Sequence, residues 1–263
     1  MKILNLERCT VRNIVKFYEK SSVEILHGQS NHCFPLHSHE SFCVGAITKG
    51  SALFTINNTS CLLKESMIFI NPSNTGICIT ADSKYDYITI CFKNELKKQV
   101  ENIKFSKYFT EMKSPEEMWA LCDTFKSNND EQQFLNSILS LISSAIEPDS
   151  LLVSAPKNET ALLIAEYIKK NADKKFDLDE IAGLFHLSKY HLIRLFKKEM
   201  GVTPNQYHIQ AKMRIIRTTI LNSQSETKLA QNLNLFDQSH LGKMFKKQMG
   251  VTLKDYKKNL TRK

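Results

Sequence analysis

The sequence predicts a two-domain α+β protein, with a β-barrel and following helices first and an all-α domain of two helix-turn-helix units, joined by a long linker helix, second. Short apolar or alternating runs at roughly ten-residue spacing fill residues 23–92, which is typical of a sandwich or small barrel. A 17-residue stretch that begins at His191 returns 49 residues later at His240, with 10 identities. Two copies are too few for a solenoid and indicate a pair of equivalent binding units.

The strands of the first domain are predicted from runs that end at turn residues such as Lys49-Gly50 and Asn57-Asn58. The predicted strands are Phe42–Thr48, Ala52–Asn57, Met67–Ile70, Ile77–Thr80 and Tyr87–Phe92. Helices follow, because Ser114 and Pro115 form a strong start signal, with Ser as N-cap and Pro in the first position.

An apolar stripe at helical spacing follows that start: Phe134, Ile138, Leu141, Ile142 and Ala145. It indicates either packing against the sheet or a dimerisation helix, and the sequence leaves both open. Two prolines, Pro148 and Pro156, then predict a linker. We therefore expect a barrel domain at 1–147, a linker at 148–158 and a helical domain at 159–263.

Charge is divided unevenly between the domains. Residues 157–263 carry 21 Lys and Arg against 10 Asp and Glu, net +11, whereas residues 1–156 carry 15 against 17, net −2. This asymmetry indicates a polyanionic partner for the second domain, nucleic acid first and an anionic membrane second. A basic face that binds nothing is the alternative.

The cysteines indicate a reduced, cytoplasmic protein. All seven lie in the first half and none forms a Cys-x-x-Cys pair. The N-terminus has no apolar signal core, and no run approaches 18 apolar residues.

The first helix-turn-helix unit is predicted from its caps. Asp177 caps a short helix that runs from Leu178 to about Phe185, with Glu180 reaching back in a capping box. After a tight turn, Ser188 caps a second helix that continues until Gly201 stops it.

The second unit repeats this pattern. Ser225 caps the short helix, Asp237 caps the long one, and Gly250 ends it. Its turn is one residue longer, because Ala182 precedes Ser188 by six residues and Ala230 precedes Asp237 by seven.

Between the units, Thr203 and Pro204 start one helix that is predicted to run through Asn222, roughly 28 Å at 1.5 Å per residue. A turn of DNA spans about 34 Å, so two recognition helices at the ends of this rod could enter successive major grooves. One chain could then read a bipartite site without dimerising.

The face of the helix on which a residue lies predicts its role in the second, or recognition, helix of each unit. Core positions are Leu192, Leu195, Phe196, Leu241, Met244 and Phe245. Base-reading positions are Lys189, Tyr190, Ile193, Arg194, Gln238, Ser239, Gly242 and Lys243. Phosphate-binding positions are Ser188, His191, Lys197, Lys198, Asp237, His240, Lys246 and Lys247. Each single lysine could equally be solvated, and Gly242 either permits close approach to DNA or marks a weaker reader.

His37, His39 and Glu40 are candidate ligand-binding residues at the start of the barrel. In an extended strand the two histidines share a face, as a metal site would require. The barrel region that follows Asn71-Pro72 offers no histidine as a further ligand, so a polar pocket lining is favoured over a metal site. Surface or core histidines are the remaining alternative.

The phrases Leu192-x-Arg-x-Phe-Lys-Lys-x-x-Gly-x-Thr-Pro204 and Asp237-Gln-Ser-x-Leu-x-Lys-x-Phe-Lys-Lys-x-x-Gly-Val-Thr252 resemble the AraC/XylS family of bacterial transcription regulators over about 159–260. The run that begins at Phe34 is similar to that family's cupin-type effector and dimerisation domain. The chain departs from the family pattern where Asn234-Leu235 replace Gly-Phe. Asn tolerates the left-handed conformation, so the turn is expected to survive.

The resemblance implies a sequence-specific, DNA-binding transcription regulator, an activator rather than an enzyme, without a cofactor. Expected partners are promoter DNA, RNA polymerase, a small-molecule effector and a second copy bound through the N-terminal helices. The alternatives are a cupin metalloenzyme with an appended DNA-binding module and a sequence-independent nucleoid binder.

Overall fold

A computed structural model of the chain describes residues 14–101, 103–146, 158–220 and 225–260. The strands are β1 Ile14–Lys20, β2 Val23–Ser30, β3 Phe34–Ser38, β4 Phe42–Lys49, β5 Ser51–Ile56, β6 Thr59–Lys64, β7 Met67–Asn71, β8 Gly76–Thr80, β9 Tyr85–Phe92 and β10 Phe109–Glu111. The helices are α1 Asn94–Val100, α2 Pro115–Asn128, α3 Glu131–Leu141, α4 Glu159–Lys170, α5 Leu178–Leu184, α6 Lys189–Met200, α7 Pro204–Thr219, α8 Glu226–Asn232, α9 Gln238–Met249 and α10 Leu253–Leu260.

The N-terminal domain consists of two antiparallel sheets, in the orders β1-β2-β9-β4-β7-β10 and β3-β8-β5-β6. Between them lies an aromatic and aliphatic core that includes Ile47, Phe54, Phe69 and Tyr85. Alternate residues of the six-stranded sheet point the other way and pack against α1, α2 and α3. One face of this sheet is therefore barrel interior and the other supports the helices.

The five strands predicted from alternation are confirmed as β4, β5, β7, β8 and β9, each within two residues of its predicted ends. Sequence patterning missed β6, because only one of its six side chains is buried. It also missed β10, which has three residues and joins the sheet edge through pairing with β7. The five predicted runs did not include β1 or β2 either.

The apolar stripe after the predicted helix start packs against the sheet. Phe134, Ile138, Ile142 and Ala145 are buried in the sheet-helix core and Leu141 is partly buried against it. This face is therefore internal, which decides against its use as a dimer surface. Ser114 occupies the N-cap position of α2, but the predicted cap hydrogen bond from its side chain is absent.

The C-terminal domain contains α4 to α10, arranged around two separate cores, one for each helix-turn-helix unit. Asn158 accepts from the amide of Ala161 at 3.2 Å and begins α4, whereas the rest of the predicted linker falls outside the described residues. The rod helix α7 is described over 16 residues, about 24 Å, and its predicted end at Asn222 lies outside the described residues. No helix within the described ranges has both the length and the apolar character needed to cross a bilayer.

Candidate nucleic-acid interface

The first helix-turn-helix unit is built by two side-chain caps. Asp177 accepts hydrogen bonds from two amides in the first turn of α5, at 2.8 and 3.1 Å. Ser188 accepts from the amide of His191 at 3.2 Å and begins α6. Glu180 does not complete the predicted capping box, because its carboxylate accepts from the hydroxyl of Tyr167 on α4, 2.6 Å away.

The second unit uses the same devices. Ser225 accepts from an amide in the first turn of α8 at 3.4 Å, and Asp237 accepts from the amide of His240 at 2.6 Å. Both recognition helices end at a glycine with φ of 72°, Gly201 for α6 and Gly250 for α9. The predicted caps and stops of the repeat are therefore confirmed.

The turns of the two units share one backbone geometry up to a defined point. The amide of Leu187 donates to the carbonyl of Ala182 at 2.9 Å, and the amide of Leu235 donates to that of Ala230 at the same distance. The two leucines therefore occupy equivalent positions, as do the two alanines, and the length difference between the two turns arises after the leucine.

A left-handed residue precedes the leucine in each turn. His186 has φ of 52° and Asn234 has φ of 50°. The expectation that Asn234 keeps the turn where the family has glycine is confirmed, because asparagine adopts this conformation at modest cost.

The apolar residues repeated in the two recognition helices are scaffold. Leu192, Phe196, Leu241 and Phe245 are fully buried, and Leu195 and Met244 are partly buried. They anchor α6 and α9 in separate cores, so the opposite face of each helix packs in neither of these cores.

That opposite face carries the predicted base-reading residues. Tyr190, Arg194, Ser239 and Lys243 are exposed, and Ile193 and Gly242 are half-buried. Open space surrounds Gly242, since a Cβ built there meets no atom within 4 Å. No contact within the protein therefore requires a glycine at this position.

The first residue of each recognition helix is held by an acid of the preceding helix. Lys189 lies 2.9 Å from the carboxylate of Asp179 on α5, and the Gln238 amide donates to Glu226 on α8, also at 2.9 Å. Both are exposed, and the contact with the acid competes with a contact to a base for one donor of each side chain.

The predicted phosphate-binding lysines, Lys197, Lys198, Lys246 and Lys247, are all exposed near the C-terminal ends of α6 and α9. His191 and His240 are exposed in the first turns. Ser188 and Asp237 act as caps, and the Asp237 carboxylate would repel a phosphate. Among the predicted phosphate-binding residues, the positive charge therefore comes from the lysines.

The rod helix α7 is also the docking surface of the barrel, which the sequence did not predict. Three side chains on one face contact the N-terminal domain at Ser38, Glu40 and Glu24. Gln210 contacts Ser38, Tyr207 contacts Glu40, and Arg217 contacts Glu24. Arg214 lies on the same face of α7 and also contacts Glu40. Because these residues are three or four positions apart, they lie on one face of the helix. The sequence alone could not tell whether that face contacts DNA or the barrel.

Glu40 is the centre of one interdomain cluster. The Tyr207 hydroxyl donates to its Oε1 at 2.8 Å, the Arg214 guanidinium lies 3.0 Å from the same atom, and Lys169 of α4 lies at 3.2 Å. Burial alone would raise the pKa of Glu40, but Arg214 and Lys169 outweigh it and hold the pKa below its ordinary value. The helical domain thus binds the Glu40 carboxylate through three side chains.

Glu24 forms a second and more deeply buried cluster. Its side chain is 7 % exposed and lies 2.8 Å from Arg217 of α7 and 2.7 Å from Lys93, which follows β9. Burial would raise the pKa of this carboxyl, but the two cations hold it below its ordinary value. No sequence motif marked Glu24, because its role depends on a partner 193 residues away.

His37 and His39 lie together, as their spacing predicted, with ring centroids 4.9 Å apart. His37 Nδ1 contacts the carbonyl of Pro35 at 2.7 Å. Burial, with the neighbouring His37 as a second cause, lowers the pKa of His39 to about 3. Among the described residues, no three His, Cys, Asp or Glu side chains are placed to hold a metal ion.

A cleft of about 720 Å³ separates the reading face of α6 from the turns of the barrel. Ile193, Arg194 and Lys197 line one wall, and Asn57, Asn58 and Asn74 line the other. At the closed end, Gly76 and Gly201 approach so closely that a Cβ on Gly76 would lie 2.4 Å from the carbonyl oxygen of Gly201. The position of the barrel therefore determines how open the reading face of α6 is to a partner.

Two family descriptions match the chain. An AraC-like ligand binding domain matches residues 22–156, and a helix-turn-helix domain matches residues 181–259. The first covers the two sheets, except for β1, together with α1, α2 and α3, and the second covers most of the two helix-turn-helix units.

Similar curated proteins are also transcription regulators. The chain is 25 % identical over 189 residues to the uncharacterized HTH-type transcriptional regulator YbfI of Bacillus subtilis, covering 66 % of this chain and 69 % of that protein. It is 35 % identical over 68 residues to the bifunctional transcriptional activator/DNA repair enzyme AdaA of Bacillus subtilis, covering 26 % and 32 %.

The fold is similar to that of ToxT from Vibrio cholerae. One ToxT structure matches with a TM-score of 0.62 at 14 % identity, covering 93 % of this chain and all of that one. Another, with an unsaturated fatty acid bound, matches with a TM-score of 0.55 at 13 % identity, covering 91 % and 96 %. The two-domain order, β-rich then helical, is thus common to both proteins.

Proposed function

Because the chain belongs to the AraC family of helix-turn-helix, DNA-binding transcription regulators, we propose that it reads two successive major grooves, one with α6 and one with α9. One observation supports this most directly. The two recognition helices have the same caps, stops and buried apolar faces, and both leave their equivalent cations, Arg194 and Lys243, exposed.

Arg194 is the residue we expect to carry most sequence discrimination. A guanidinium can bond both major-groove acceptors of guanine, whereas the Lys243 ammonium is a point charge. Neither has an ion-pair partner among the contacts resolved in the described residues. Asp179 and Glu226 compete for one donor of Lys189 and of Gln238, so the contribution of these two donors to base reading should be smaller.

Affinity without sequence discrimination is assigned to Lys197, Lys198, Lys246 and Lys247, with His191, His240 and the Ser188 hydroxyl in support. Each phosphate neutralised by a lysine releases a counterion, so binding should weaken steeply with salt. Asp237 is left out of this set, because its carboxylate serves as the cap of α9.

The test compares two substitutions on one helix. Mapping of bound DNA across the genome supplies a cognate fragment, whose affinity should exceed that of random DNA at least about 10³-fold at physiological salt. Arg194→Ala should cost about 1–3 kcal/mol on the cognate fragment and relax specificity at one base. Lys197→Ala should weaken all sequences alike and flatten the salt dependence.

Lys64→Ala, at an exposed lysine on β6, is the matched control and should change neither quantity. Equal affinities for cognate and random DNA would favour a sequence-independent nucleoid binder. A sequence-selective loss from Lys197→Ala would contradict the division of roles.

We further propose that the barrel senses a small carboxylic acid. The support is the fold likeness to ToxT structures that carry an unsaturated fatty acid or a naphthalenyl butenoic acid. In this chain, His37 and His39 are the sequence neighbours of Ser38 and Glu40, which contact α7. A panel of fatty acids should shift the thermal unfolding of the wild type, and His39→Phe should reduce the shift if the ligand reaches this strand.

The remaining proposals concern the transcription machinery. The chain activates transcription by contacting RNA polymerase in the cytoplasm, and it has no enzymatic activity of its own. Transcription in vitro with purified polymerase should rise on the cognate promoter. Stoichiometric iron, zinc or manganese bound through His37 and His39 in the purified protein would favour the metalloenzyme alternative. A dimer would have to use another face of α2 and α3, because the predicted stripe is internal.

A further inference from the structure

Phe236 is a large apolar side chain that is 93 % exposed. Isolated apolar residues on a surface are ordinary, but this one is almost fully exposed and lies next to α9, the proposed reading helix of the second unit. The cause of the exposure and the position of the ring together indicate what the side chain contacts.

The exposure follows from the extra residue in the second turn. Leu187 and Leu235 make the same backbone bond, to Ala182 and Ala230. In the first unit the cap residue follows this leucine at once, whereas in the second unit Phe236 lies between Leu235 and the cap. Because the leucine already closes the small core, the inserted phenylalanine has no place inside and projects into solvent.

The inserted ring lies at the end of α9 that approaches bases. In a helix-turn-helix, the N-terminal residues of the recognition helix contact base edges. Phe236 immediately precedes the cap, and its amide faces Nδ1 of His240 at 3.4 Å. Its backbone is therefore tied to the first turn of α9, and the exposed ring projects from the residue that immediately precedes the cap of this helix.

We propose that the Phe236 ring packs on the C5-methyl group of a thymine in the major groove read by α9. Thymine carries the only methyl group in that groove, and apolar side chains recognise it by contact. The lysines of the same helix, Lys243, Lys246 and Lys247, draw DNA to this surface rather than an apolar protein. The proposal rests on α9 being a reading helix, as proposed above.

The inference predicts an asymmetry between the two half-sites. The first unit has no residue equivalent to Phe236, so methyl recognition of this kind is confined to the half-site of α9. Replacing thymines by deoxyuridine, which lacks only the methyl group, should therefore matter in one half-site.

The experiment measures the dissociation constant of the full chain on a cognate fragment in which each thymine is replaced in turn by deoxyuridine. The wild type should lose about fourfold in affinity at one or two thymines of the α9 half-site, which is ~0.8 kcal/mol, the value of one buried methylene. Phe236→Ala should bind the unmodified fragment about as weakly as the wild type binds the modified one. It should also be insensitive to the replacement.

Phe236→Leu should keep part of the methyl preference, and Leu62→Ala, at a half-exposed leucine on β6, should behave as wild type. Because the Phe236 side chain is almost fully exposed, circular dichroism of the alanine variant should match that of the wild type. A wild type insensitive to every replacement, or a Phe236→Ala variant with the full methyl effect, would overturn the inference.

Lys243→Ala separates this inference from the function on which it rests. If Lys243→Ala binds DNA as well as the wild type does and Phe236→Ala does too, then α9 is not a reading helix. If Lys243→Ala loses affinity while Phe236→Ala does not, α9 still reads DNA and only the methyl contact is wrong.

Discussion

Arg217 on α7 donates a hydrogen bond through its Nη2 to the buried carboxylate of Glu24 on β2, at 2.8 Å. The same arginine donates through Nε to the hydroxyl of Tyr256 on α10, at 3.0 Å. One side chain therefore connects the barrel, the rod helix and the last helix of the second helix-turn-helix unit. The buried Glu24 carboxylate of the barrel and the α10 hydroxyl are therefore held by the same guanidinium.

Glu24→Gln should destabilise the protein, because it leaves Arg217 and Lys93 without their buried anion. Removing one partner of a buried ion pair costs about 3–5 kcal/mol, and since both cations are about a third exposed we expect about 1–3 kcal/mol. Urea unfolding measures the loss. Glu95→Gln, which removes an exposed ion pair with Lys98, should leave the midpoint unchanged.

Stability should decline as the pH falls below about 6.5. The folded protein keeps His39 neutral down to about pH 3, whereas the unfolded chain protonates it near the ordinary histidine pKa of 6.5. The unfolded state binds more protons in this window, so His39 contributes a slope of up to about 1.4 kcal/mol per pH unit. His39→Gln should flatten the slope of the unfolding free energy between pH 6.5 and 5. An unchanged slope would contradict the burial of this ring.

Gly242→Ala should separate stability from DNA binding. A Cβ at this position meets no atom within 4 Å, and alanine favours a helix over glycine by about 1 kcal/mol, so the variant should be more stable. If α9 approaches the bases through this glycine, the same change should weaken binding to the cognate fragment. Gly183→Ala on α5, equally uncrowded, should give the stability gain without the loss of affinity.

Asn234→Ala should destabilise the second unit by about 1–2 kcal/mol. Alanine is strained at φ of 50°, and the hydrogen bond that the Asn234 side-chain amide donates to the carbonyl of Asp173 is lost. Asn234→Gly loses the hydrogen bond but keeps the backbone conformation at no steric cost. Thermal unfolding should therefore rank glycine above alanine. The reverse order would show that the left-handed turn is not under strain.

Local chemistry explains which features the sequence determined by itself. Caps at Asp177, Ser188, Ser225 and Asp237, glycine stops and the apolar stripes of α6 and α9 act within one or two helical turns, so their spacing was sufficient. The two units, their DNA-binding role and five of the barrel strands were predicted from such patterns.

Only the tertiary structure decided how the two domains meet. The sequence predicts that Glu40 acts together with His37 and His39. In the structure its carboxylate binds Tyr207, Arg214 and Lys169 across the domain interface. Glu24 carried no signal at all, because its partner lies 193 residues away. Contacts of this kind depend on where the chain brings distant elements together, and no local period or spacing records that position.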